Sequence, residues 1–265
     1  MDDPRTRSFP HPRTPASAAA SAPATPGSAP GPEPAPAGRS PELYGTLDRA
    51  AGHAVASPAL DGLVGGILAE VASGARAVRA VAHPLGFFCL PVLRDGVFGV
   101  CVHVFGAAAD RPDPAGGGPG PDTREIHCHS WELKSSVLYG RVGNLRVAVH
   151  DEPDRPTHRA YEVHSTAGAD EIRPTPRLVR WEALGGRTST RGETYTLAAG
   201  EFHATVLPGG APAATVVLGR SVPGPVDVVL GPVDGAARRV VRRQCDAART
   251  ARIAGATARR LRGCG

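Results

Sequence analysis

From Leu85 to Arg220 the chain is a succession of short β-branched and aromatic runs cut by Gly and Pro turns, and this pattern limits the fold more than any other feature. Phe87–Leu93 and Val97–Phe105 flank Arg94-Asp95-Gly96, whose Asp-Gly pair favours a hairpin turn. Further runs follow at Arg124–Trp131, Ser135–Tyr139, Asn144–His150, Thr157–His164, Leu178–Ala183, Thr194–Leu197, Phe202–Leu207 and Ala214–Arg220. Ala108–Pro121 is a Gly/Pro loop. Many short strands with such turns predict an all-β sandwich or barrel.

Both flanks of this region read as helix. Ser40-Pro41-Glu42 supplies an N-cap, a first-turn proline and a first-turn acid, and Leu43, Leu47 and Ala50 follow on one face. Ser57-Pro58 starts a second helix with an apolar stripe of Leu60, Leu63, Val64, Ile67, Leu68 and Val71. These two helices are expected to cover a sheet surface or a barrel end. Asp234–Arg262 is rich in Ala and Arg and reads as a basic C-terminal helix. It has no interleaved aromatics and no DNA-binding motif, so a solvated face is expected rather than a nucleic-acid contact. Residues 1–39 are Pro, Ala, Ser and Gly with a few Arg. Such a segment buries too little apolar surface to offset chain entropy and is expected to be a disordered tail. The division is therefore a tail at 1–39, a helical segment at 40–82, a β domain at 83–232 and a basic helix at 233–265.

The chain of 265 residues carries a formal net charge of +5, concentrated near the C-terminus. It has no apolar run near the roughly 20 residues of a membrane helix. Ala16–Ala22 is too short and too Ser-broken for a secretory core, so a cytoplasmic location is expected. The five Cys (Cys89, Cys101, Cys128, Cys245 and Cys264) form no C-x-x-C pair. A disulfide framework or a zinc knuckle is not expected, and Cys89 and Cys101 read as small buried hydrophobes.

The chemistry concentrates in Ile126-His127-Cys128-His129-Ser130-Trp131-Glu132, a strand leading into a tight bend and a second strand. On a strand, Glu125, His127, His129 and Trp131 share one face, and Ile126, Cys128 and Ser130 take the other. Two imidazoles on one face can converge on a metal if a third ligand arrives, and Gly200-Glu201-Phe202-His203 offers His203. Glu132 joins such a set only if the strand bulges after Trp131. Trp131 lines or underpins the pocket, and the Tyr195 phenol is a candidate to orient a substrate. Arg124 and Lys134 are weaker candidate cations for a substrate carboxylate, because alternation places them on the opposite face. His103 and His164 read as core or surface histidines.

These residues resemble the cupins. The first cupin motif is Gly, five residues, His-x-His, three or four residues, Glu, six residues, Gly. Here Gly120 is one residue too far upstream, Glu132 is one residue early with Leu133 in its place, and Gly140 fits its distance from His129. In the second motif Gly192, Gly200 and His203 match in identity and spacing, with Ala198 for its Pro and Leu207 for its Asn. The resemblance covers roughly residues 85–222. It implies a double-stranded β-helix, the jelly-roll barrel of the cupins, with an insertion around residues 150–190. It also implies one metal site built from His127, His129 and His203, with Glu132 as a possible fourth ligand.

A three-His set without an aligned Glu is similar to the thiol dioxygenase branch, which includes cysteine dioxygenase. That branch implies Fe(II), O₂ and a small-molecule substrate such as a thiol. Lys134 stands where animal-type members carry a cross-linked Cys. The alternatives are a metal-dependent isomerase or lyase using Zn, Mn or Ni, or a non-catalytic small-molecule-binding cupin. A homodimer is compatible with all three.

Overall fold

The computed structural model describes residues 40–52, 57–106, 125–166 and 168–263. The tail expected at 1–39, the Gly/Pro loop and Arg124 lie outside these residues. All the described residues belong to one unit, Pro36–Gly265.

In chain order the elements begin with helices α1 (Ser40–Ala50) and α2 (Pro58–Ser73). Strands β1 (Val81–Ala82), β2 (Phe88–Asp95), β3 (Phe98–Phe105), β4 (His127–Cys128), β5 (Trp131–Tyr139) and β6 (Arg141–Asp151) follow. Next come β7 (His158–Ser165), β8 (Ala169–Thr190), β9 (Thr194–Leu197), β10 (His203–Val206), β11 (Ala213–Ser221) and β12 (Val228–Gly231). Two short strands, β13 (Arg238–Val241) and β14 (Arg243–Gln244), precede helix α3 (Ala247–Arg262).

The strands form two large antiparallel sheets. The first runs β14-β1-β2-β3-β11-β5-β9 and the second β13-β8-β6-β10-β4-β12-β7. One face of the first sheet is buried under the helices. Leu47 of α1, Val64 and Leu68 of α2, and Ile253 and Leu261 of α3 join Leu90, Val100, Val102, Val216 and Leu218 in one core. Burying a Val or Leu side chain contributes about 1.5–3 kcal/mol, so this layer anchors the sheet. The other face looks towards the second sheet, where Val142 of β6 packs with Phe87, Cys89, Phe105, Val137 and Ala213.

Local chemistry sets the helix ends. The Ser57 hydroxyl accepts from the Leu60 N–H at 3.3 Å, Pro58 occupies the first turn, and Gly74 closes α2 in the left-handed region. At the C-terminus the helix expected from Asp234 begins only at Ala247, where Asp246 caps it by accepting from the Arg249 N–H at 2.6 Å. The stretch before it pairs instead: Arg238–Val241 lies antiparallel to the start of β8, and Arg243–Gln244 to β1. Sheet edges outweigh the helix propensity of the arginines there. The face of α3 carrying Ile253, Ala254, Ala258 and Leu261 is buried, while Arg252, Arg259, Arg260 and Arg262 are exposed.

Most of residues 150–190, where an insertion is expected, is the hairpin of β7 and β8. The first half of β8 pairs with β7 and the second half with β6, so one long strand changes partner near Val179.

Candidate metal centre

The expected strand–bend–strand carries the chain from one sheet to the other. β4 belongs to the second sheet and β5 to the first, with His129 and Ser130 between them. Side chain and backbone both fix this crossing. The Ser130 N–H donates to the Asp227 carboxylate at 2.6 Å, and the Gly200 N–H donates to the His129 carbonyl at 2.8 Å. Gly200 adopts a φ of 79°, which suits glycine at this turn. The two sequence motifs are thus tied together through the backbone.

His127 and His203 are direct partners across β4 and β10. One ring nitrogen from each of His127, His129 and His203 lies within 4.8 Å of the other two. Ring centroids are 4.4 Å apart for His127–His203, 4.9 Å for His127–His129 and 5.2 Å for His129–His203. His203 is buried, and His127 and His129 keep partial solvent contact.

Two of the rings are held by main-chain carbonyls. His127 Nδ1 is 2.9 Å from the Glu125 carbonyl, and His203 Nδ1 is 3.2 Å from the Glu201 carbonyl. A carbonyl can only accept, so Nδ1 carries the proton in both rings and Nε2 keeps its lone pair. Glu201 is itself fixed: its carboxylate pairs with Arg146 and accepts from the Ala198 N–H at 3.1 Å. Outer partners of this kind orient the imidazoles of metal sites.

Burial keeps all three rings neutral. It pushes His203 down to about 3, helped by His127. It also lowers His127, against the opposing pull of the Glu125 carbonyl. It sets His129 well below the ordinary imidazole range, with His127 and His203 adding to the effect. The unfolded chain takes up protons near pH 6.5 and the folded chain does not, so stability is full above that value and falls as pH drops towards 3. The slope is roughly 1.4 kcal/mol per pH unit for each such histidine. Urea unfolding of metal-free protein at pH 7.5 and pH 5 is expected to show this loss, and His203→Gln to reduce it. An equal loss in both proteins would contradict a buried neutral His203.

Among the other sequence candidates, Glu132 is not brought to the cluster. No bulge follows Trp131, so Glu132 takes the face opposite to it. Its carboxylate is half exposed and pairs with Arg220 at 2.9 Å. Lys134 shares that face and donates to the Asp48 carboxylate of α1 at 2.7 Å, away from the histidines. Trp131 does reach the site: its ring lies 4.5 Å from that of His129. The same ring packs so closely over Gly219 that a Cβ there would sit 2.8 Å from it.

Tyr195 pairs with Ser135 across β5 and β9, with its hydroxyl beside Ser135 and Asn144. Burial raises the phenol above its ordinary range, and these two neighbours draw it back. Ser135 Oγ, Asn144 Oδ1 and Thr215 Oγ1 are buried without a well-formed hydrogen bond among the described residues.

A second cluster was not legible as a site in the sequence. Cys89, Cys101 and His103 bring their ligand atoms within 4.8 Å of one another. The Asp95–Phe98 end of the β2–β3 hairpin sets a register that would place Cys89 opposite Val104. A bulge between Pro91 and Leu93 shifts that register by one residue, so Cys89 pairs with His103 and joins its face. Pro91 inside a strand was the available signal for that bulge. His164 is at the surface, 3.2 Å from the Glu162 carboxylate, in keeping with its reading as a lone surface histidine.

Among the described residues no helix is long and apolar enough to cross a membrane. No protein-family model matches the chain, and no curated protein matches it. What this chain shows by itself is a β-rich fold of two antiparallel sheets with two clusters able to hold a metal ion.

Proposed function

We propose that His127, His129 and His203 hold one divalent metal ion and that the protein is a cupin-type enzyme acting on a small molecule. The observation that carries this reading is the convergence of three neutral imidazoles, two of them fixed with Nε2 free. The free Nε2 lone pairs of His127 and His203 are ready donors to a cation. The donor set suits iron, zinc, nickel or copper, and three protein ligands leave positions open, as in catalytic sites. In this reading residues 83–232 form a jelly-roll barrel and 40–82 its helical cover.

Iron(II) is the metal proposed, on the strength of the motif resemblance. When bound, it supplies a redox-active centre with room for a small molecule and O₂. The chain's own residues do the rest. The Glu125 and Glu201 carbonyls hold the His127 and His203 protons on Nδ1. Trp131 walls His129. Ser135, Asn144, Thr215 and Tyr195 offer hydrogen-bonding capacity on the inner faces of the sheets, which suits a small polar substrate. Small thiols are the first substrates to test.

The test is anaerobic loading with Fe(II), followed by O₂ uptake at an electrode with a panel of small thiols and detection of sulfinate by mass spectrometry. Uptake with sulfinate formation, lost in His203→Ala, is expected. Uptake with non-thiol substrates alone would remove the thiol. Iron-loaded protein with no substrate-dependent uptake would contradict the oxygenase reading and favour isomerase or lyase chemistry.

A further inference from the structure

We propose that Cys89, Cys101 and His103 form a second metal site, for a thiophilic divalent ion of the zinc class. The three residues sit on the β2–β3 hairpin of the first sheet, whereas His127 and His203 belong to the second, and the two clusters share no residue. Both thiols are free. The hairpin sorts its side chains by face. Leu90, Val100, Val102 and Val104 all point into the helix-covered core, while Cys89, Cys101 and His103 take the inward face. If the cysteines served only as small hydrophobes, nothing would require two thiols and an imidazole to converge.

Their separation suits a metal. Zinc–sulfur bonds of about 2.3 Å and zinc–nitrogen bonds of about 2.0–2.1 Å in a tetrahedron set the donors about 3.5–3.8 Å apart. The donors here lie within 4.8 Å of one another, so closing on an ion shortens any donor–donor distance by roughly 1.3 Å at most. Binding one divalent ion releases one proton from each thiol and leaves a neutral two-thiolate centre. Three protein donors leave a fourth position for water or an outside ligand. Thiolate donors select for zinc and its relatives, and imidazoles alone do not, so the two clusters differ in the metal they prefer.

Cobalt(II) is the probe, titrated anaerobically into the reduced full-length protein. Two equivalents are expected to bind, one of them giving a near-ultraviolet thiolate-to-cobalt charge-transfer band. Cys89→Ser and Cys101→Ser should each lose that band and one equivalent. His203→Ala should keep the band and lose the other equivalent. X-ray absorption of zinc-loaded unmodified protein provides a check that needs no variant, and a sulfur shell at about 2.3 Å is expected. Cobalt binding without the band, a band that survives both cysteine substitutions, or a zinc spectrum with nitrogen and oxygen neighbours only would overturn the proposal. Loss of the band in a folded His203→Ala protein would also overturn it, by merging the two clusters into one site.

Discussion

Gly140→Ala is expected to destabilise the protein by about 2–5 kcal/mol, the sum of a left-handed backbone penalty and an overpacking penalty. Gly140 joins β5 to β6 with a φ of 78°. A Cβ at this position would press on the Pro212 carbonyl and stand 2.8 Å from the Ala213 Cα. Both neighbours are main chain and cannot swing aside. They also lead into β11, the strand between β3 and β5 in the middle of the first sheet. For a chain of this size, the Tm is expected to fall by roughly 10 °C. Gly200→Ala provides the comparison. Its φ is 79°, but nothing lies within 4 Å of its added Cβ. It should cost only the backbone penalty of about 1–2 kcal/mol. Equal losses in the two variants, measured by thermal unfolding, would show that close packing at Gly140 contributes nothing.

Spacing from His129 marked Gly140 as a motif glycine, and the structure supplies the reason: a tight turn beneath another strand. The strand pattern was also legible. Thr194–Leu197 forms a strand with the expected bounds, and most other runs agree to within a few residues. Period-two alternation of buried and exposed side chains makes such runs readable. Alternation also placed His127 and Trp131 on one face and Lys134 on the other.

Four things were hidden, each because it depends on pairing rather than on local pattern. The basic segment before Ala247 looked helical from its Ala and Arg content, yet it forms two edge strands whose partners, β8 and β1, are far away in the sequence. The role of Glu132 depended on a bulge that is absent, and its partner Arg220 lies across β5 and β11. The Cys89–Cys101–His103 cluster depended on a bulge that is present, where a shift of one residue changes the face of a whole half-strand. The anchor at Asp227 was missed for the same reason. It is distant in sequence and meets Ser130 only after β12 has docked on β4.

The second large effect concerns the three histidines themselves. Removing one imidazole leaves two donors, and loss of a direct ligand should weaken binding more than the 10–100-fold typical of an outer partner. His203 has the strongest case: it is 2 % exposed, and its Nδ1 is tied to the Glu201 carbonyl. His127 is held in the same way, and His129 sits where the chain crosses between the sheets. Glu132→Gln, by contrast, should leave binding unchanged, because the carboxylate pairs with Arg220 instead.

The most direct measurement is metal per chain, by elemental analysis after anaerobic loading with Fe(II) and desalting. It should be made on the unmodified protein and on His127→Ala, His129→Ala, His203→Ala and Glu132→Gln, each shown to be folded by circular dichroism. The expected result is that each histidine variant lacks one equivalent of metal that the unmodified protein and Glu132→Gln retain. A folded histidine variant with unmodified metal content would contradict the three-histidine centre.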